Sequence, residues 1–343
     1  MADTATSAFY APGFMDLSRY QLVRTEPGSV WDSIVEAAPD GTIFSLSAFV
    51  EEMDARPALW LCHKGSEIAG TVALAEDRDT PGRTVLAPHV IHSGIMTAAP
   101  AARQNPAQAL AEQFRVTAAC FAQAAEHYSD LRFTTSPALT DLRPVLWHNF
   151  GTQLPKPALE LRYTSYLPLS RDPDGTAMEQ SALYLGCNKS RRQALRYACS
   201  SGITVQETTD LDAFLELYAR TFARQGLQMA QGEGDFLRRL CTRLAAMKRL
   251  RLFAASTAQG DLGSIVVFGL DAKRAYYLYG ANDPALRGDH CGSMALYHAL
   301  DMLGQEGVTE ADLEGVNSPR RGYFKLSFGG TLQPYYRVSL QQS

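Results

Sequence analysis

Residues 276–330 read YYLYGANDPALRGDHCGSMALYHALDMLGQEGVTEADLEGVNSPRRGYFKLSFGG, and the rest of the chain is best interpreted around them. The pattern predicts an aromatic strand, a polar loop, a helix of about fourteen residues, a short strand, a second short helix and a glycine pair. A strand that opens directly onto the start of a helix leaves backbone N–H groups unpaired. Such groups suit phosphates or a developing oxyanion, so we expect the functional site in this stretch.

Length and composition indicate a globular protein. The chain has 343 residues, of which 46% are hydrophobic, enough for one large core or two of ordinary size. The longest apolar runs, such as residues 262–270, fall well short of the roughly 20 residues that span a bilayer. The first residues show no signal-peptide pattern, and six scattered cysteines show no metal-ligand spacing. We therefore expect a cytoplasmic protein with reduced thiols, no bound metal and no membrane partner.

Charge is distributed unevenly between the two halves. Residues 1–180 carry 13 Lys and Arg against 21 Asp and Glu, whereas residues 181–343 carry 19 against 15. A basic second half beside an acidic first half is the balance expected if only the second half meets a polyanion.

The order of predicted elements is the same in both halves. Each half reads as strand, two helices, three antiparallel strands, helix, strand, helix and strand. In the first half we predict the three strands at 58–63, 67–75 and 83–91 and a helix at 140–150, and the second half begins with a helical stretch at 178–200. A segment rich in Asp, Gly and Pro near 170–176 marks the boundary. We predict a loose tail at 1–18 and domains at 19–170 and 171–343, the second of which carries the site.

Several motifs of the second half match a known family. They are NKSRRQALR at 188–196 followed by Gly202-Ile203, Tyr279-Gly280 at a strand end, Gly315 within DLEGVNS, and FKLSFGG at 324–330 with Tyr335. Together they resemble the Fem family of aminoacyl-tRNA-dependent transferases, by architecture over residues 20–338 and by motif over 188–336. This resemblance implies an α/β (α+β) protein of two tandem GCN5-related acyltransferase-like domains. Each would be a mixed, mainly antiparallel sheet flanked by helices.

The resemblance also implies an activity. Such proteins move an activated acyl group onto an amine, so we expect an amide-forming aminoacyltransferase. Its donor substrate would be aminoacyl-tRNA, with no cofactor, and its partner a small-molecule or peptide amine. No coiled-coil arm is present, and HSGIM at 92–96 stands where a Gly-Pro loop is typical, which favours a small acceptor over a peptidoglycan precursor. The alternatives are an acyl-CoA-dependent N-acyltransferase with acetyl-CoA or another acyl-CoA as donor, and a non-catalytic ligand-binding module.

Lys325 is the predicted catalytic residue. It lies between Phe324 and an apolar run, so its stem would be packed while its ammonium reaches a cleft. The resembling family has a lysine at this motif position. There it would neutralise the oxyanion that develops on the donor, or a substrate carboxylate, for which a compact charge is suitable.

Acceptor-binding residues are predicted around this lysine. Arg192 and Arg196 are spaced i, i+4 on one helix face and can grip a phosphate or a carboxylate. Strand alternation predicts that Tyr277 and Tyr279 share one face. The remaining predicted members of this group, all near the same strand or the final helix, are Asn282, Asn317 and Phe324.

Donor-binding residues are predicted at the helix start after the aromatic strand. Coenzyme A-dependent relatives have an Arg/Gln-x-x-Gly-x-Gly/Ala loop at this place, whereas this chain has R-G-x-x-x-G. The predicted donor contacts are Arg287, Gly288, His290, Gly292 and Ser293, with Arg320 beside the final helix. A second basic run at 238–251 is a further candidate for contact with a tRNA acceptor stem.

Overall fold

The computed structural model describes residues 16–223 and 230–342. In chain order the helices and strands are β1 (Tyr20–Thr25), α1 (Ser29–Ala37), α2 (Ser47–Val50), β2 (Arg56–Lys64), β3 (Glu67–Glu76), β4 (Gly94–Thr97), α3 (Pro106–His127), β5 (Asp130–Thr134), α4 (Arg143–Leu146), β6 (Ala158–Pro168), α5 (Ala182–Gly186), α6 (Lys189–Ser200), β7 (Thr204–Thr208), α7 (Leu211–Ala223), α8 (Glu233–Ala246), β8 (Leu250–Ser256), β9 (Leu262–Leu270), β10 (Ala275–Asn282), α9 (Cys291–Gln305), β11 (Glu310–Asp312), α10 (Pro319–Leu326) and β12 (Thr331–Gln341). Short 3₁₀ turns lie at Ile43–Ser45, Met178–Gln180 and Arg287–Asp289.

The chain divides into two compact units. The first comprises the chain up to Arg162 together with Pro334 onwards, and the second comprises Tyr163–Gln333. This division differs in two respects from domains at 19–170 and 171–343. The chain changes unit within β6 rather than after it, and the end of the chain lies with the first unit because β12 pairs with β5 there. Most of the predicted tail, residues 1–15, lies outside the described residues.

The first unit is built on an antiparallel sheet with the order β1-β2-β3-β4. Helix α3 begins with a capping box. The Asn105 side chain accepts a hydrogen bond from the Gln108 backbone N–H, and the Gln108 side chain accepts one from the Asn105 backbone N–H. Its apolar face contributes Phe121 to the core, where the ring lies 6.2 Å from that of Phe133 on β5. The unit therefore buries one face of a meander under a long amphipathic helix.

Two predicted elements of the first unit are wrong. The third strand of the meander is β4 at Gly94–Thr97, not 83–91, where the structure has only isolated bridges. Pro88 has no N–H to donate and His89 adopts a left-handed φ of 65°, so the predicted run cannot continue as a ladder. The helix predicted at 140–150 is limited to Arg143–Leu146, and Asn149 is left-handed at φ 58°.

The second unit is built on strands in the order β6-β11-β10-β9-β8-β7. Strands β10 and β11 are parallel, and the other pairs of this series are antiparallel. Helix α9 covers one face of these strands, and its Leu296 and Leu300 are fully buried. Helix α7 packs against β10 through Phe214 and Tyr279, whose rings lie 6.1 Å apart.

The helical stretch predicted at 178–200 is divided. It consists of a 3₁₀ turn, α5 and α6, because Asn188 is extended and caps α6 by accepting from the Arg191 backbone N–H at 2.9 Å. The predicted fold class, a mixed and mainly antiparallel α/β arrangement with helices on the sheets, is confirmed. Among the described residues, no helix is both long and apolar enough to cross a membrane.

Candidate active site

Lys325 lies in the last turn of α10 and reaches back to the loop after β11. Its Nζ donates a hydrogen bond to the Glu314 carbonyl oxygen at 3.0 Å and lies 4.8 Å from the centre of the Tyr277 ring on β10. The side chain is half-buried. Its stem is therefore packed, as predicted from its position between Phe324 and an apolar run, and its ammonium is held at a defined place. That the ammonium reaches a cleft stays a prediction.

The loop that receives Lys325 has an unusual backbone. Glu314 and Gly315 follow each other in the left-handed region, with φ of 49° and 46°. Glutamate rarely adopts this conformation and pays a cost of roughly 1–3 kcal/mol for it. A Cβ on residue 315 would lie 3.2 Å from Lys325 Nζ, so glycine both permits the turn and leaves room for the amine. The turn aims the Glu314 carbonyl at the ammonium.

Burial and two carboxyls set the charge of Lys325. Burial lowers the pKa of its ammonium to about 8, against the opposing effects of Glu314 and Asp312; Arg321 lowers it further. The Glu314 side chain is only 5% exposed, and its Oε1 has no hydrogen-bond partner in the described part of the chain. Burial and Asp312 raise the pKa of this carboxyl well above its usual range. Asp312, fully buried, accepts from the Thr164 hydroxyl and, at 2.8 Å, from the Glu314 N–H.

The prediction that Tyr277 and Tyr279 share a face is wrong. Strand β10 has a bulge between them, since Tyr277 pairs with Phe268 and Tyr279 with the adjacent Val267. The extra residue turns Tyr277 towards Lys325 and the α9 side, and turns Tyr279 towards α7. Only Tyr277 contacts the candidate catalytic residue, and burial raises its hydroxyl pKa.

Arg191 is a site residue that the sequence analysis missed. Its guanidinium lies 4.4 Å from the Phe324 ring and 4.6 Å from the Phe328 ring, and it donates to the hydroxyls of Ser327 and Ser293. It is only 8% exposed, and burial lowers its pKa. Arg191 thus joins α6, the FKLSFGG motif and the start of α9.

A signal for Arg191 was present in the sequence. Arg191 shares a helical face with Ala194, Leu195 and Ala198, all buried, so the helical period alone predicts its burial. The two arginines chosen instead lie on the outward side: Arg192 is half-buried and Arg196 is exposed. Their role in binding the acceptor stays a prediction. Phe324, also predicted, is half-buried beneath the Arg191 guanidinium.

The predicted donor loop forms the start of α9. His290 is left-handed at φ 60° and precedes the helix, and its ring stacks near-parallel on Tyr197 of α6 at 6.1 Å. Gly292 is packed so closely that a Cβ would collide with the Asn282 amide oxygen, which places predicted Asn282 at this helix start. Ser293 is buried under Arg191.

Two members of the predicted donor loop remain to be described. Gly288 is exposed and faces open space. The Arg287 side chain lies outside what the structure describes.

The two polar residues predicted beside the final helix differ in their surroundings. The Asn317 amide accepts from the Tyr163 N–H and donates to the Tyr163 carbonyl, both at 2.7 Å, so it completes the backbone pairing of β6. Arg320 is exposed. Asn317 is therefore occupied by the fold, whereas Arg320 presents its charge to solvent.

Comparison with known proteins agrees with this architecture. Residues 187–325, less than half of the chain but most of the second unit, match the model of a family described as acetyltransferase (GNAT) domain. This segment contains α6, β10, α9 and Lys325. No curated protein sequence matches the chain.

Solved structures resemble almost the whole chain. FemX superposes with a TM-score of 0.64 at 14% identity, over 92% of this chain and 96% of FemX. A tandem GNAT protein from the clavulanic acid biosynthesis pathway gives a TM-score of 0.52 at 11% identity, over 94% and 98%.

A third likeness is to the C-terminal domain of a putative lysylphosphatidylglycerol synthetase from Agrobacterium fabrum. It gives a TM-score of 0.52 at 11% identity, over 92% of this chain and 91% of that one. At such identities the likeness concerns the fold. The expected similarity to the Fem family thus holds at the level of architecture, and the chain has the tandem GCN5-related fold, a finding that supports an acyltransferase.

Proposed function

We propose that the chain is an amide-forming aminoacyltransferase that moves an amino acid from aminoacyl-tRNA to the amine of a small molecule or peptide. The observation that carries the proposal is the placement of Lys325. Its ammonium is held between the Glu314 carbonyl and the Tyr277 ring, within the FKLSFGG segment through which the chain resembles the Fem family. The likeness in fold to FemX supports the same class of reaction.

The chemistry requires stabilisation of a negative charge. The neutral acceptor amine attacks the ester carbonyl of the donor, and the carbonyl oxygen becomes an oxyanion. The C–O bond to the tRNA ribose then breaks, the tRNA leaves with a free hydroxyl, and the amine proton passes to substrate or water. A fixed cation near the oxyanion stabilises it more than the uncharged carbonyl, which lowers the barrier.

Lys325 is suited to this task. An ammonium has three donors, one of which the Glu314 carbonyl accepts, so donors remain for a substrate oxygen. The pKa near 8 keeps the group mainly protonated at neutral pH, while partial burial strengthens its field. Other cleft amides, at the start of α9, would add to the stabilisation.

A donor comparison tests the proposal. Purified protein is incubated with radiolabelled aminoacyl-tRNA and a panel of amines, and in parallel with acetyl-CoA and the same amines. We expect tRNA-dependent formation of an amide. Turnover with acetyl-CoA alone would instead establish the acyl-CoA reading, and turnover with neither donor would favour a ligand-binding module.

The acyl-CoA alternative has its own support. The segment at 187–325 matches a family described as acetyltransferase, and the loop at 287–293 leads into a long helix whose first amides can hold a pyrophosphate. We favour the tRNA donor because the spacing of that loop, R-G-x-x-x-G, departs from the pattern of coenzyme A-dependent relatives. Salt separates the two, since affinity for a polyanion falls steeply as salt is added.

A further inference from the structure

Helix α6 carries a stripe of cations on its outer side. Lys189, Arg192 and Arg196 follow at i, i+3 and i+7, so they lie within one narrow sector of the helix. The opposite side packs into the core of the second unit. Lys189 and Arg196 are exposed and Arg192 is half-buried. We refer to these three residues as the α6 stripe.

The positive charges of the α6 stripe have no counter-charge in the part of the chain that the structure describes. Among the described residues, none of its three side chains has a carboxylate partner, and α6 itself contains no acid. The second basic run differs in this respect. There Arg238 pairs with Asp212 at 2.7 Å, and Arg251 bridges Glu207 and Glu306.

The position of these charges does not favour the helix. Lys189 and Arg192 lie in the first turn, together with Arg191, where the helix dipole disfavours cations, and the last turn has no basic residue. An arrangement that opposes helix stability and lacks counter-charges points to an external anion.

Exposed aromatic rings lie at both ends of the stripe. Tyr197 is 52% exposed, receives a hydrogen bond from Gln193 and stacks on His290. Tyr323 lies on α10, two residues before Lys325, and is 65% exposed. Its hydroxyl lies 3.0 Å from the Ser190 hydroxyl on α6. The eight residues from Ser190 to Tyr197 extend along about 10 Å of helix.

We propose that the α6 stripe, with Tyr197 and Tyr323, binds the single-stranded 3′ end of tRNA, a donor role that takes the place of the acceptor role predicted for Arg192 and Arg196. The inference rests on the proposed function, because it names the surface that delivers the aminoacyl ester to Lys325. Single-stranded RNA combines regularly spaced phosphates with unstacked bases. It therefore matches a row of unpaired cations between exposed rings, on which bases stack.

Binding of uncharged RNA tests this surface without catalysis. The probes are unacylated bulk tRNA and a fluorescein-labelled single-stranded RNA that ends in CCA, measured by fluorescence anisotropy at several salt concentrations. We compare the wild-type protein with Arg192→Ala/Arg196→Ala, with Tyr197→Ala, and with the control Lys156→Ala, which removes an exposed cation of the first unit. All four substituted positions are on the surface, and circular dichroism checks the fold.

The stripe variant is expected to bind both RNAs at least tenfold more weakly. Its slope of log affinity against log salt should fall by about two, one for each lost phosphate contact. Tyr197→Ala should weaken binding by about tenfold with an unchanged slope, since a stacking contact releases no counterion. Lys156→Ala should change affinity less than twofold, because this exposed lysine is not part of the α6 stripe.

Any other outcome overturns the assignment of RNA binding to the α6 stripe. The outcomes differ in whether a tRNA donor is still possible. If wild-type protein binds RNA but the stripe variant binds equally well, the surface is elsewhere and a tRNA donor is still possible. If Lys156→Ala is weakened as much as the stripe variant, RNA binds to cations in general and not to the α6 stripe. If the wild-type protein binds neither RNA, both this surface and the tRNA donor fail, whereas an acyl-CoA donor does not.

Discussion

The Lys325 ammonium donates to the backbone carbonyl of Glu314 at 3.0 Å, and the carboxyl of the same glutamate is buried close by. One residue therefore holds the amine in place through its backbone and acts on its charge through its side chain. Burial alone would favour a neutral lysine, and the carboxyls of Glu314 and Asp312 oppose this effect. The charge of Lys325 is a balance that substitutions and pH can move in known directions.

Replacement of Lys325 by Ala is expected to lower kcat by about 10²–10³-fold with little change in KM. Removal of a single oxyanion donor has an effect of this size, and a loss confined to kcat indicates an interaction made in the transition state. Steady-state kinetics with varied donor and acceptor measure it. Lys156→Ala, an exposed lysine of the first unit, is the control. A rise in KM at constant kcat would show that Lys325 only binds substrate.

The rate should fall as pH rises through about 8. The catalytic form of Lys325 is the ammonium, whose pKa is about 8, so it is present below that pH and is lost above it. An arginine at this position stays charged throughout, and Lys325→Arg should retain part of the activity without this alkaline decline. The measurement is kcat/KM for the donor against pH, with the concentration of neutral acceptor amine held constant, because the attacking amine itself loses its proton in this range. A wild-type profile that stays flat to pH 10 would contradict the role of the ammonium.

Glu314→Gln should move the alkaline decline to lower pH by about one pH unit. The carboxyl raises the pKa of Lys325, so its removal allows the amine to lose its proton earlier. The groups that remain near Lys325 are Asp312, which raises its pKa, and Arg321, which lowers it, beside the uncharged Tyr277 ring.

A measurement independent of turnover supports this test. The pH dependence of Lys325 acetylation by acetic anhydride, followed by peptide mass spectrometry, should shift in the same direction. Glu207→Gln, an exposed carboxylate that pairs with Arg251, should leave both curves in place. An unmoved midpoint in Glu314→Gln would mean that this carboxyl carries no charge when Lys325 titrates.

The sequence was sufficient for the fold class and for the packed position of Lys325, whose catalytic role stays a prediction, but not for the residues around it. The motif and the helical period place Lys325 on a short helix between packed neighbours, and both are local properties. The bulge in β10 is not local, because it depends on how Tyr277 and Tyr279 pair with β9. A single extra residue moves every later side chain to the opposite face of the strand. Strand alternation therefore placed Tyr279 on the wrong face.

Arg191 and Arg192 are neighbours on α6 but differ in burial, so their replacement should affect stability differently. Arg191→Ala should destabilise the protein by about 2–4 kcal/mol, because it removes a large buried side chain from between Phe324 and Phe328 and leaves two serine hydroxyls without their donor. Arg192→Ala, one position along and half-buried on the outer side, should stay within about 0.5 kcal/mol of the wild-type protein. Urea unfolding followed by circular dichroism measures both. Equal stability of the two variants would mean that the stacked guanidinium contributes nothing to the folded state. A large loss in Arg192→Ala alone would show that the outer face of α6 packs in solution, and the α6 stripe would then not be free to bind RNA.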